Sequence, residues 1–589
     1  MTDITVVADA GIRESLSRWP GTLADSVSLS GIPPVDGRPW LPVGLIDGWL
    51  TIGPLYEPGR PGCPVCAERR RAANRVPNPN GDVSAPPLIG LLATVGSALI
   101  RTVIATAEAA VIVRMSLLDG AVRRHRLIPD PLCPACGDLP EDTPPDLDLT
   151  TVPGELRHDG SYRLGRLTER LAALRDTFVD PVHGVLASVT TRAHPTAVTA
   201  VAQVQPGIAG HESRHGYATS GGHATAEATA IAEALERLGS QRPRGRRTSV
   251  RAAYDDVRDV AVDPREFGVH PDGSYRLPGF PFQRFSTRAV TSWVWGFSYA
   301  RRRAVLIPAS MAYHGGHRRG DAMWLAESSS GAALGSAPVE AHLHGVLEIA
   351  ERDAFLLTWY ARLAQPRINP ATARDRRIPV LAESLRQRLG VDVRLFALFV
   401  DHEIPVVLAI AARADGPPPA IACAAAGHPD PEQAAMAALR ELGPLVAALE
   451  HRYDGGRAEA MLADPGLVRT MEDHALLFSH PEATERLGFL DSGEVLSFDA
   501  VSARIAWPAA MDLRADLAEA CRRLIAVGVD VVAVDTTSAE ISAAGLTAVK
   551  VLAPGALPMT FGHAFRRIEG LPRLHRVNAG ANSLPHPFP

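Results

Sequence analysis

Lysine is almost absent from this chain. Lys550 is the single lysine among 589 residues, whereas arginine is abundant. A Walker A loop needs a glycine-rich turn that ends in Lys-Ser or Lys-Thr. Lys550 stands instead in the apolar run "LTAVKVLA". A nucleoside triphosphate, if this protein binds one, must therefore be held without a P-loop lysine.

Excess positive charge and membrane-targeting segments are also missing. The net charge is −5 and the chain has no basic arm or tail, which argues against a nucleic-acid partner. The start "MTDITVVADAG" lacks the basic and apolar regions of a signal peptide. The most apolar run, residues 86–115, is interrupted by Arg101 and Glu108, so it predicts a buried helix pair rather than a membrane span. We therefore expect a cytoplasmic protein with no membrane partner.

The composition and hydrophobic pattern of the sequence change along the chain and predict two domains, 1–155 and 156–589. The first part is rich in Pro and Gly and carries four of the six cysteines. Its end, Gly137 to Glu155, has the composition of a linker. From about Gly165, helical patterns alternate with β-rich runs such as "VRLFALFV" and "PVVLAIAA". This alternation predicts a mixed α/β (α+β) domain of about 400 residues.

Two C-x-x-C pairs, "CPVC" and "CPAC", lie in the first domain. They supply four thiols, Cys63, Cys66, Cys133 and Cys136. Four thiolates form the closed tetrahedral shell of a structural zinc site. Here the ion would join two distant parts of one domain. Two separate redox pairs, or unrelated thiols, are the alternatives.

A charged pattern, E-x-x-E-R, occurs twice on segments that are otherwise apolar. At helical spacing, the first copy places Glu233, Glu236 and Arg237 side by side, and the second copy does the same with Glu348, Glu351 and Arg352. Ser336 and Glu340 lie upstream of the second copy. One such motif alone is typical of a solvated helix face with Glu–Arg pairs. Two copies favour a shared site, because unpaired buried carboxylates cost several kcal/mol each, roughly. Clustered carboxylates prefer Mg²⁺, and arginine can hold phosphate oxygens.

These segments resemble the YcaO family. "TAIAEALER" matches the motif S-x-x-x-E-x-x-E-R with Thr229 in the serine position, and "GSAPVEAHLHGVLEIAERDAF" resembles the second ATP segment. "AAAGHPDPEQAAMAALREL" resembles a further family block, and the chain ends "NSLPHPFP", similar to the P-x-P-x-P tail of azoline-forming members. The resemblance covers about Gly165 to Pro589. It implies a YcaO-type ATP-binding domain, and the two motif copies are compatible with an internally duplicated sheet-plus-helix unit.

The resemblance also implies an activity. Such enzymes use ATP to convert Cys, Ser or Thr residues of a ribosomally made precursor peptide into thiazolines or oxazolines. The first domain resembles the shortened, zinc-binding ThiF-like domain that is fused to YcaO in these cyclodehydratases. Because only 62 residues precede Cys63, we expect a separate partner protein to bind the leader peptide. By resemblance we also expect a homodimer.

The implied site residues follow position by position. The candidate Mg²⁺ or nucleotide ligands are Glu233, Glu236, Glu340, Glu348 and Glu351. The candidate phosphate or supporting contacts are Thr229, Arg237, Ser336 and Arg352. The α-carboxylate of Pro589 would act as a base or orienting group, unless the tail is simply a frayed terminus. The implied cofactors are ATP, Mg²⁺ and structural Zn²⁺. Two other activities stay open: thioamide or amidine formation, and a non-catalytic peptide-binding scaffold.

Overall fold

A computed structural model gives the fold of most of the chain. The residues that it describes are 5–8, 23–25, 38–74, 89–106, 110–146, 149, 162–194, 197–204, 215–413, 416–508, 512–577 and 582–588.

Strands and helices are mixed along the chain, as the sequence predicted. The strands are β1 Thr5–Ala8, β2 Leu23–Asp25, β3 Trp40–Ile46, β4 Trp49–Ile52, β5 Val111–Ser116, β6 Val122–Arg126, β7 Leu186–Ala193, β8 Val198–Val204, β9 His215–Ser220, β10 Arg251–Ala253, β11 Val290–Ser298, β12 Arg303–Pro308, β13 Ala332–Gly335, β14 Gln365–Ile368, β15 Asp392–Ala397, β16 Val406–Ala412, β17 Ile421–Gly427, β18 Asp491–Leu496, β19 Val532–Asp535 and β20 Thr547–Leu552. The α-helices are α1 Pro64–Ala73, α2 Ile89–Thr106, α3 Leu171–Phe178, α4 His223–Gly239, α5 Tyr254–Val257, α6 Ala309–Ala312, α7 Pro338–Tyr360, α8 Arg377–Leu389, α9 Pro431–Arg452, α10 Gly455–Ala463, α11 Met471–Phe478, α12 Phe498–Arg504, α13 Leu513–Ala526, α14 Ala539–Ala543 and α15 Pro572–Val577.

The first part of the chain forms a six-stranded sheet in the order β2-β1-β3-β4-β5-β6. Among its last three strands, β4 precedes α2 in the sequence, and β5 and β6 follow it. Helix α2 packs on one face of the sheet through Ile100 and Val103. The predicted helix pair in residues 86–115 is therefore wrong. The second half of that run is strand β5, because Val111, Ile112 and Val113 are β-branched residues that suit a buried strand. No helix of the described residues is long and apolar enough to cross a bilayer.

Three further sheets build the rest of the molecule. Strands β7, β8 and β9 form an antiparallel sheet, β14–β18 form a second sheet, and β10–β13 join β19 and β20 in a third. Helix α7 lies between two of these sheets. Its first half packs on β20 through Leu343 and Val346, and its second half packs on β16 through Phe355. This buried helix fixes the relative position of the two sheets.

Within the described residues, a strand followed directly by a long helix occurs three times. Helix α4 follows β9, α7 follows β13, and α9 follows β17. Close packing brings the first pair together: a Cβ at Gly216 of β9 would lie 2.1 Å from the carbonyl oxygen of Ala230 in α4. Glycine is therefore required there. The three helices border one region of the molecule.

The stretch predicted as a linker is not a free connection over its first half. The backbone amide of Asp142 donates to the carbonyl oxygen of Arg247 at 3.1 Å. The carboxylate of Asp142 accepts from the amide of Trp295 at 2.9 Å. The proline and acidic residues of this stretch belong to an extended segment that packs against the part of the protein containing Arg247 and Trp295. Composition alone does not distinguish such a segment from a linker.

Candidate functional site

Helices α4, α7 and α9 border a cavity of about 1130 Å³. Seven of the nine residues predicted to bind nucleotide or Mg²⁺ line it, and they are Thr229, Glu233, Glu236, Ser336, Glu340, Glu348 and Arg352. Arg237 and Glu351 are not part of the lining. The two E-x-x-E-R segments, more than a hundred residues apart in sequence, therefore meet at one cavity.

Arg237 does not line the cavity but forms an ion pair with Glu233, which does. Its guanidinium lies 2.5 Å from Glu233 Oε1 and donates to the carbonyl oxygen of His215 at 2.7 Å. The other Glu233 oxygen accepts from the backbone amide of Tyr217 at 2.8 Å. Burial raises the pKa of Glu233, while the Arg237 charge opposes this rise. The role of Arg237 in this geometry is to orient Glu233 rather than to face the cavity.

Glu236 and Glu348 are two acids of the site whose negative charges repel each other. Burial raises the pKa of Glu236 well above its ordinary value, and the nearby charges of Glu348 and Glu233 raise it further. Glu348 accepts from the backbone amide of Gly331 at 3.2 Å. Carboxylates that disfavour one another's ionisation become favourable once a cation lies between them. This donor set fits a hard divalent ion.

The second triplet, Glu348, Glu351 and Arg352, contacts both the cavity and the C-terminal tail of the chain. Glu351 accepts from the amide of Gly427 at 3.0 Å, and burial raises the pKa of Glu351 to about 8. Arg352 lies between the two acids, 3.6 Å from Glu348 Oε1 and 3.4 Å from Glu351 Oε1. Its guanidinium stacks over the ring of Phe588, 4.3 Å from the centroid. Arg352 is thus fixed from three sides while it borders the cavity.

Glu340 has most of its bonding capacity satisfied by the protein. One carboxylate oxygen accepts from Arg163 at 3.0 Å, and the other accepts from the amides of Leu164 and Ser336 at 3.2 and 3.3 Å. It therefore joins the start of α7 to the segment before α3. Arg163, which also lines the cavity, was not singled out from the sequence.

Glu441 is the main residue that sequence reasoning missed. It projects from α9 into the cavity, where surrounding protein raises its pKa to about 7 and the charge of Arg352 opposes this rise. Gln433 of the same helix also lines the cavity. The block "PEQAAMAALREL" was recognised, but Glu441 follows Arg440 and resembles an ordinary solvated pair. The usable signal was that α9 is a third helix that directly follows a buried strand.

The end of the chain is bound to the protein over residues 582–588. The backbone amide of Asn582 donates to Tyr360 at 2.7 Å, and Trp359 Nε1 donates to the carbonyl oxygen of Leu584 at 3.1 Å. Cys423 Sγ donates to the carbonyl oxygen of Pro587 at 3.2 Å. Phe588 then reaches the cavity wall. Pro589 lies outside the described residues.

His474 holds the tail from α11. Its Nδ1 donates to the carbonyl oxygen of His586 at 2.7 Å, and its Nε2 accepts from the amide of Gly562 at 3.0 Å. These two bonds require the neutral ring with the proton on Nδ1. Burial accordingly lowers the pKa of His474 to about 4. The two rings of His474 and His586 stack with their centroids 4.1 Å apart.

The four cysteines of the two C-x-x-C pairs meet in the first part of the molecule. Their Sγ atoms all lie within 4.8 Å of one another, and none forms a disulfide. The amide of Asp130 donates to Cys66 Sγ at 3.4 Å. Neighbouring thiols raise the pKa of Cys66 and lower that of Cys136. A bound cation would favour the thiolate form of all four, and the donor set fits zinc.

Comparison with protein families gives one match over more than half of the chain. The family model described as "YcaO cyclodehydratase, ATP-ad Mg2+-binding" matches residues 219–557. This range contains α4, the strand–helix units β13–α7 and β17–α9, and most of the residues around the cavity.

Two curated relatives have no assigned activity. An uncharacterized protein in the tfuA 3′ region of Rhizobium leguminosarum bv. trifolii is 36% identical over 124 residues, which are 20% of this chain and 29% of that protein. The chain thus spans less than a third of the length of that relative. An uncharacterized protein of Methanothermobacter thermautotrophicus is 29% identical over 345 residues, 58% of this chain and 81% of that one.

Two solved structures share the fold along the whole chain. "Heterocyclase in complex with substrate and Cofactor" aligns with a TM-score of 0.78 at 18% identity and covers 100% of this chain and 86% of its own. "Structure of the heterocyclase TruD" aligns with a TM-score of 0.69 at 18% identity, covering 100% and 84%. At this identity the likeness concerns the fold alone.

Proposed function

The chain belongs to the YcaO cyclodehydratase family, and on that premise we propose that it is an ATP-dependent peptide heterocyclase. Its substrate is a ribosomally made precursor peptide. The reaction converts Cys, Ser or Thr residues into thiazolines or oxazolines. The observation that carries this proposal is the convergence of acids from three helices, represented by Glu233, Glu348 and Glu441, on one cavity of about 1130 Å³.

The cavity residues fit a magnesium–nucleotide complex. Glu233, Glu236, Glu348 and Glu441 would hold Mg²⁺, because their carboxylates are crowded and their ionised forms need a counter-charge. Bound Mg²⁺ would neutralise phosphate charge and make the γ-phosphate more electrophilic. Arg352 would face the phosphates with its planar donor group, and Glu340 with Ser336 would support that wall. Thr229 would add a hydroxyl from α4.

The chemistry of the peptide explains why ATP is needed. The substrate thiol or hydroxyl gives up its proton, attacks the carbonyl carbon of the preceding residue and closes a five-membered ring. The oxygen of that carbonyl then takes the γ-phosphoryl group, and ADP leaves. Loss of phosphate and of the amide proton forms the C=N bond of the azoline. Phosphorylation is required because an amide oxygen is otherwise a poor leaving group. The protein contributes mainly orientation and charge stabilisation.

The tail supplies the last group of the proposed site. Phe588 holds Arg352 by stacking, and the anchored segment before it brings Phe588 to the cavity. We assign to the α-carboxylate of Pro589 the role of base or orienting group for the substrate amide. An anchored, proline-rich arm loses little entropy on ordering, which suits a terminal group that must be held in place.

The four-cysteine cluster and the protein's binding partners form the remaining part of the proposal. Cys63, Cys66, Cys133 and Cys136 would hold a structural Zn²⁺ in a ThiF-like domain, for which their clustering within 4.8 Å is the support. A separate partner protein would bind the leader peptide, and the chain would act as a homodimer in the cytoplasm.

Phosphate release and product mass test the proposed reaction together. The protein is incubated with ATP, Mg²⁺, a Cys-rich precursor peptide and its leader-binding partner. We expect peptide-stimulated phosphate release and a mass loss of one water for each ring. Thioamide formation would instead exchange oxygen for sulfur in the product. ATP turnover without any change in peptide mass, or no ATP turnover in the complete mixture, would contradict the proposal.

A further inference from the structure

The single lysine of the chain, Lys550, is buried on β20, and only 1% of the residue is exposed. Its ammonium donates to the carbonyl oxygens of Ser328 and Ser330, at 2.6 and 2.5 Å. Burying an ammonium is costly unless it is hydrogen-bonded, and here backbone carbonyl groups supply those bonds. Lys550 therefore fixes the position of the segment that carries both serines.

That segment, residues 328–331, is called the serine turn below, and it packs closely on the backbone of β20. The amide of Val551, the neighbour of Lys550, donates to the carbonyl oxygen of Gly331 at 2.7 Å. Gly331 has a φ of +81°, and a Cβ at this position would lie 2.2 Å from the carbonyl oxygen of Val551. Glycine is therefore required at the end of the turn.

The serine turn contacts an acid of the cavity. The amide of Gly331 donates to Glu348 Oε2 at 3.2 Å, and the other oxygen of Glu348, Oε1, lies 3.6 Å from Arg352. These two contacts hold the Glu348 carboxylate at the cavity wall. A continuous path of hydrogen bonds and backbone thus leads from the ammonium of Lys550, through the serine turn, to Glu348.

The charge of Lys550 also reaches the acids of the cavity. Burial lowers the pKa of Lys550, and the charges of Glu327, Glu348 and Glu236 oppose this fall. The ammonium and a metal ion among those acids would repel each other. Positioning of Glu348 and repulsion of the metal therefore predict opposite results when the ammonium is removed: weaker metal binding in the first case and tighter binding in the second.

We propose that Lys550 is a positioning residue for Mg²⁺, because it holds the serine turn in the conformation in which Gly331 orients Glu348 for metal binding. This inference rests on the proposed function for the role of Glu348 as a metal ligand, but it needs neither the peptide nor ring formation. The one lysine of the chain then supports nucleotide binding from within the protein, without the phosphate contact of a P-loop lysine.

Calorimetric titration of the full-length protein with a non-hydrolysable ATP analogue, in Mg²⁺ and in EDTA, tests this role. Lys550→Met keeps the length of the side chain but removes its donors and its charge. We expect the gain in affinity that Mg²⁺ provides to fall by about tenfold or more, the loss that removal of an outer partner of a metal ligand causes. The affinity in EDTA should stay within about twofold, because no contact with the nucleotide is lost.

The conservative variant Lys550→Arg separates the donors and the charge from the rest of the side chain. Its guanidinium can donate to both carbonyl oxygens of the serine turn. We expect Lys550→Arg to restore most of the gain from Mg²⁺ that Lys550→Met loses. A loss as large as that of Lys550→Met would contradict a role for the hydrogen bonds and the charge.

A double-mutant cycle shows whether Lys550 acts through Glu348. Glu348→Gln alone should reduce the gain from Mg²⁺. In this background Lys550→Met should reduce it further by less than about twofold, because the serine turn no longer holds a charged ligand. Losses that multiply would mean that Lys550 acts independently of Glu348, and they would overturn the proposal.

Arg523→Met is the matched control. Arg523 is another buried cation that donates to two backbone carbonyl oxygens, those of Glu403 and Ala506, and none of these three residues lines the cavity. We expect this variant to lower the melting temperature and to keep the full gain from Mg²⁺. Equal losses of that gain in Arg523→Met and Lys550→Met would assign the effect to general destabilisation and would overturn the proposal.

Two further outcomes separate the role of Lys550 from the proposed function. Tighter metal binding in Lys550→Met would show that its charge only repels the ion, which overturns the positioning role and leaves the metal site standing. If Glu348→Gln keeps the whole gain from Mg²⁺, Glu348 is not a metal ligand, and the positioning role fails together with that part of the proposed function.

Discussion

At the scale of single residues, the cavity is defined by acids whose charges need a counter-ion. Glu236, Glu348 and Glu441 come from three different helices; burial and the charge of Glu348 together raise the pKa of Glu236 and of Glu441. Such a set destabilises the empty protein slightly and is stabilised by the ligand that it binds. The buried Lys550 belongs to this picture. Its ammonium donates to the carbonyl oxygen of Ser328 at 2.6 Å. Burial lowers the pKa of Lys550, and the charges of Glu327 and Glu348 oppose this fall.

The change Glu441→Gln tests whether the missed acid contributes to the site. The carboxamide keeps the size of the side chain but removes the negative charge. We therefore expect the Mg²⁺-dependent affinity for ATP to fall by about tenfold or more, at least the loss that removal of an outer-shell partner causes. Isothermal titration calorimetry with and without Mg²⁺ measures this change.

Glu450→Gln on the same helix is the control for that experiment. Glu450 is exposed and lies 2.6 Å from Arg413, so its loss removes an ion pair in which neither residue lines the cavity. We expect unchanged nucleotide affinity. If Glu441→Gln binds Mg²⁺ and ATP as the control does, Glu441 has no role in holding the nucleotide.

The sequence predicted the residues that repeat a pattern and missed those that do not. Glu233, Glu236 and Glu348 were found because two E-x-x-E-R copies stand on apolar helices, and the predicted family is confirmed by the match to residues 219–557. The same pattern also selected Arg237 and Glu351, which are not among the residues that line the cavity. Helical spacing gives neighbours on a face, but only tertiary packing decides which of them reach the cavity.

At the scale of secondary-structure elements, strands that end at the base of a long helix organise the site. Regular β-rich runs such as β15, β16 and β19 were predictable from their β-branched and apolar residues. The apolar run of residues 86–115 was not, because both a buried helix and a buried strand are apolar. The tail was predicted as a functional arm, and its anchoring over residues 582–588 gives that hypothesis a physical basis.

Lengthening the tail tests whether its terminal carboxylate has a place of its own. One glycine added after Pro589 would displace the carboxylate while the anchors at Asn582, Leu584 and Pro587 stay in place. We expect turnover to fall by about a hundredfold, the order that a small misplacement of a reacting group costs. Phosphate release and thermal unfolding, measured together, separate this effect from misfolding. Pro589→Ala keeps the chain length and should retain most activity; turnover of the lengthened protein equal to that of this control would refute the role.

Acidification should loosen the tail through His474. Because the folded-state pKa is lowered from 6.5 to about 4, the unfolded protein takes up this proton first as the pH falls. The stabilisation is therefore complete above pH 6.5 and is lost between that value and about 4, by up to about 3 kcal/mol. Chemical denaturation at a series of pH values measures the free energy of unfolding.

His474→Gln provides the non-titrating comparison. Its amide can donate to the carbonyl oxygen of His586 and accept from Gly562, as the neutral imidazole does. We expect a smaller loss of stability between pH 6.5 and 4 in this variant. A profile as steep as that of the unchanged protein would assign the acid sensitivity to other groups, and His586, which stacks on His474, would be the first to examine.

At the scale of the whole molecule, the first sheet is joined to the rest by a buried network of charges. Glu540 of α14 lies 3.2 Å from Arg70 of α1 and also binds Arg244. Arg244 in turn lies 2.8 Å from Asp130, whose amide bonds Cys66. Sequence analysis did not find this network, because its members are hundreds of residues apart and no local pattern links them. It connects the four-cysteine cluster physically to the part that bears the cavity.

Removing the charge of Glu540, the central acid of this network, should weaken the contact between the first sheet and the rest of the protein. In Glu540→Gln, the charges of two buried arginines lose their shared partner, and such a loss costs about 3–5 kcal/mol. Chemical denaturation should show this decrease, and the first sheet should become more sensitive to trypsin. Asp535→Asn is the matched control, because Asp535 forms an exposed ion pair with Arg246 at 2.9 Å and its loss should cost less than about 1 kcal/mol. A Glu540→Gln protein no less stable than this control would mean that apolar packing, rather than the buried charges, holds the first sheet in place.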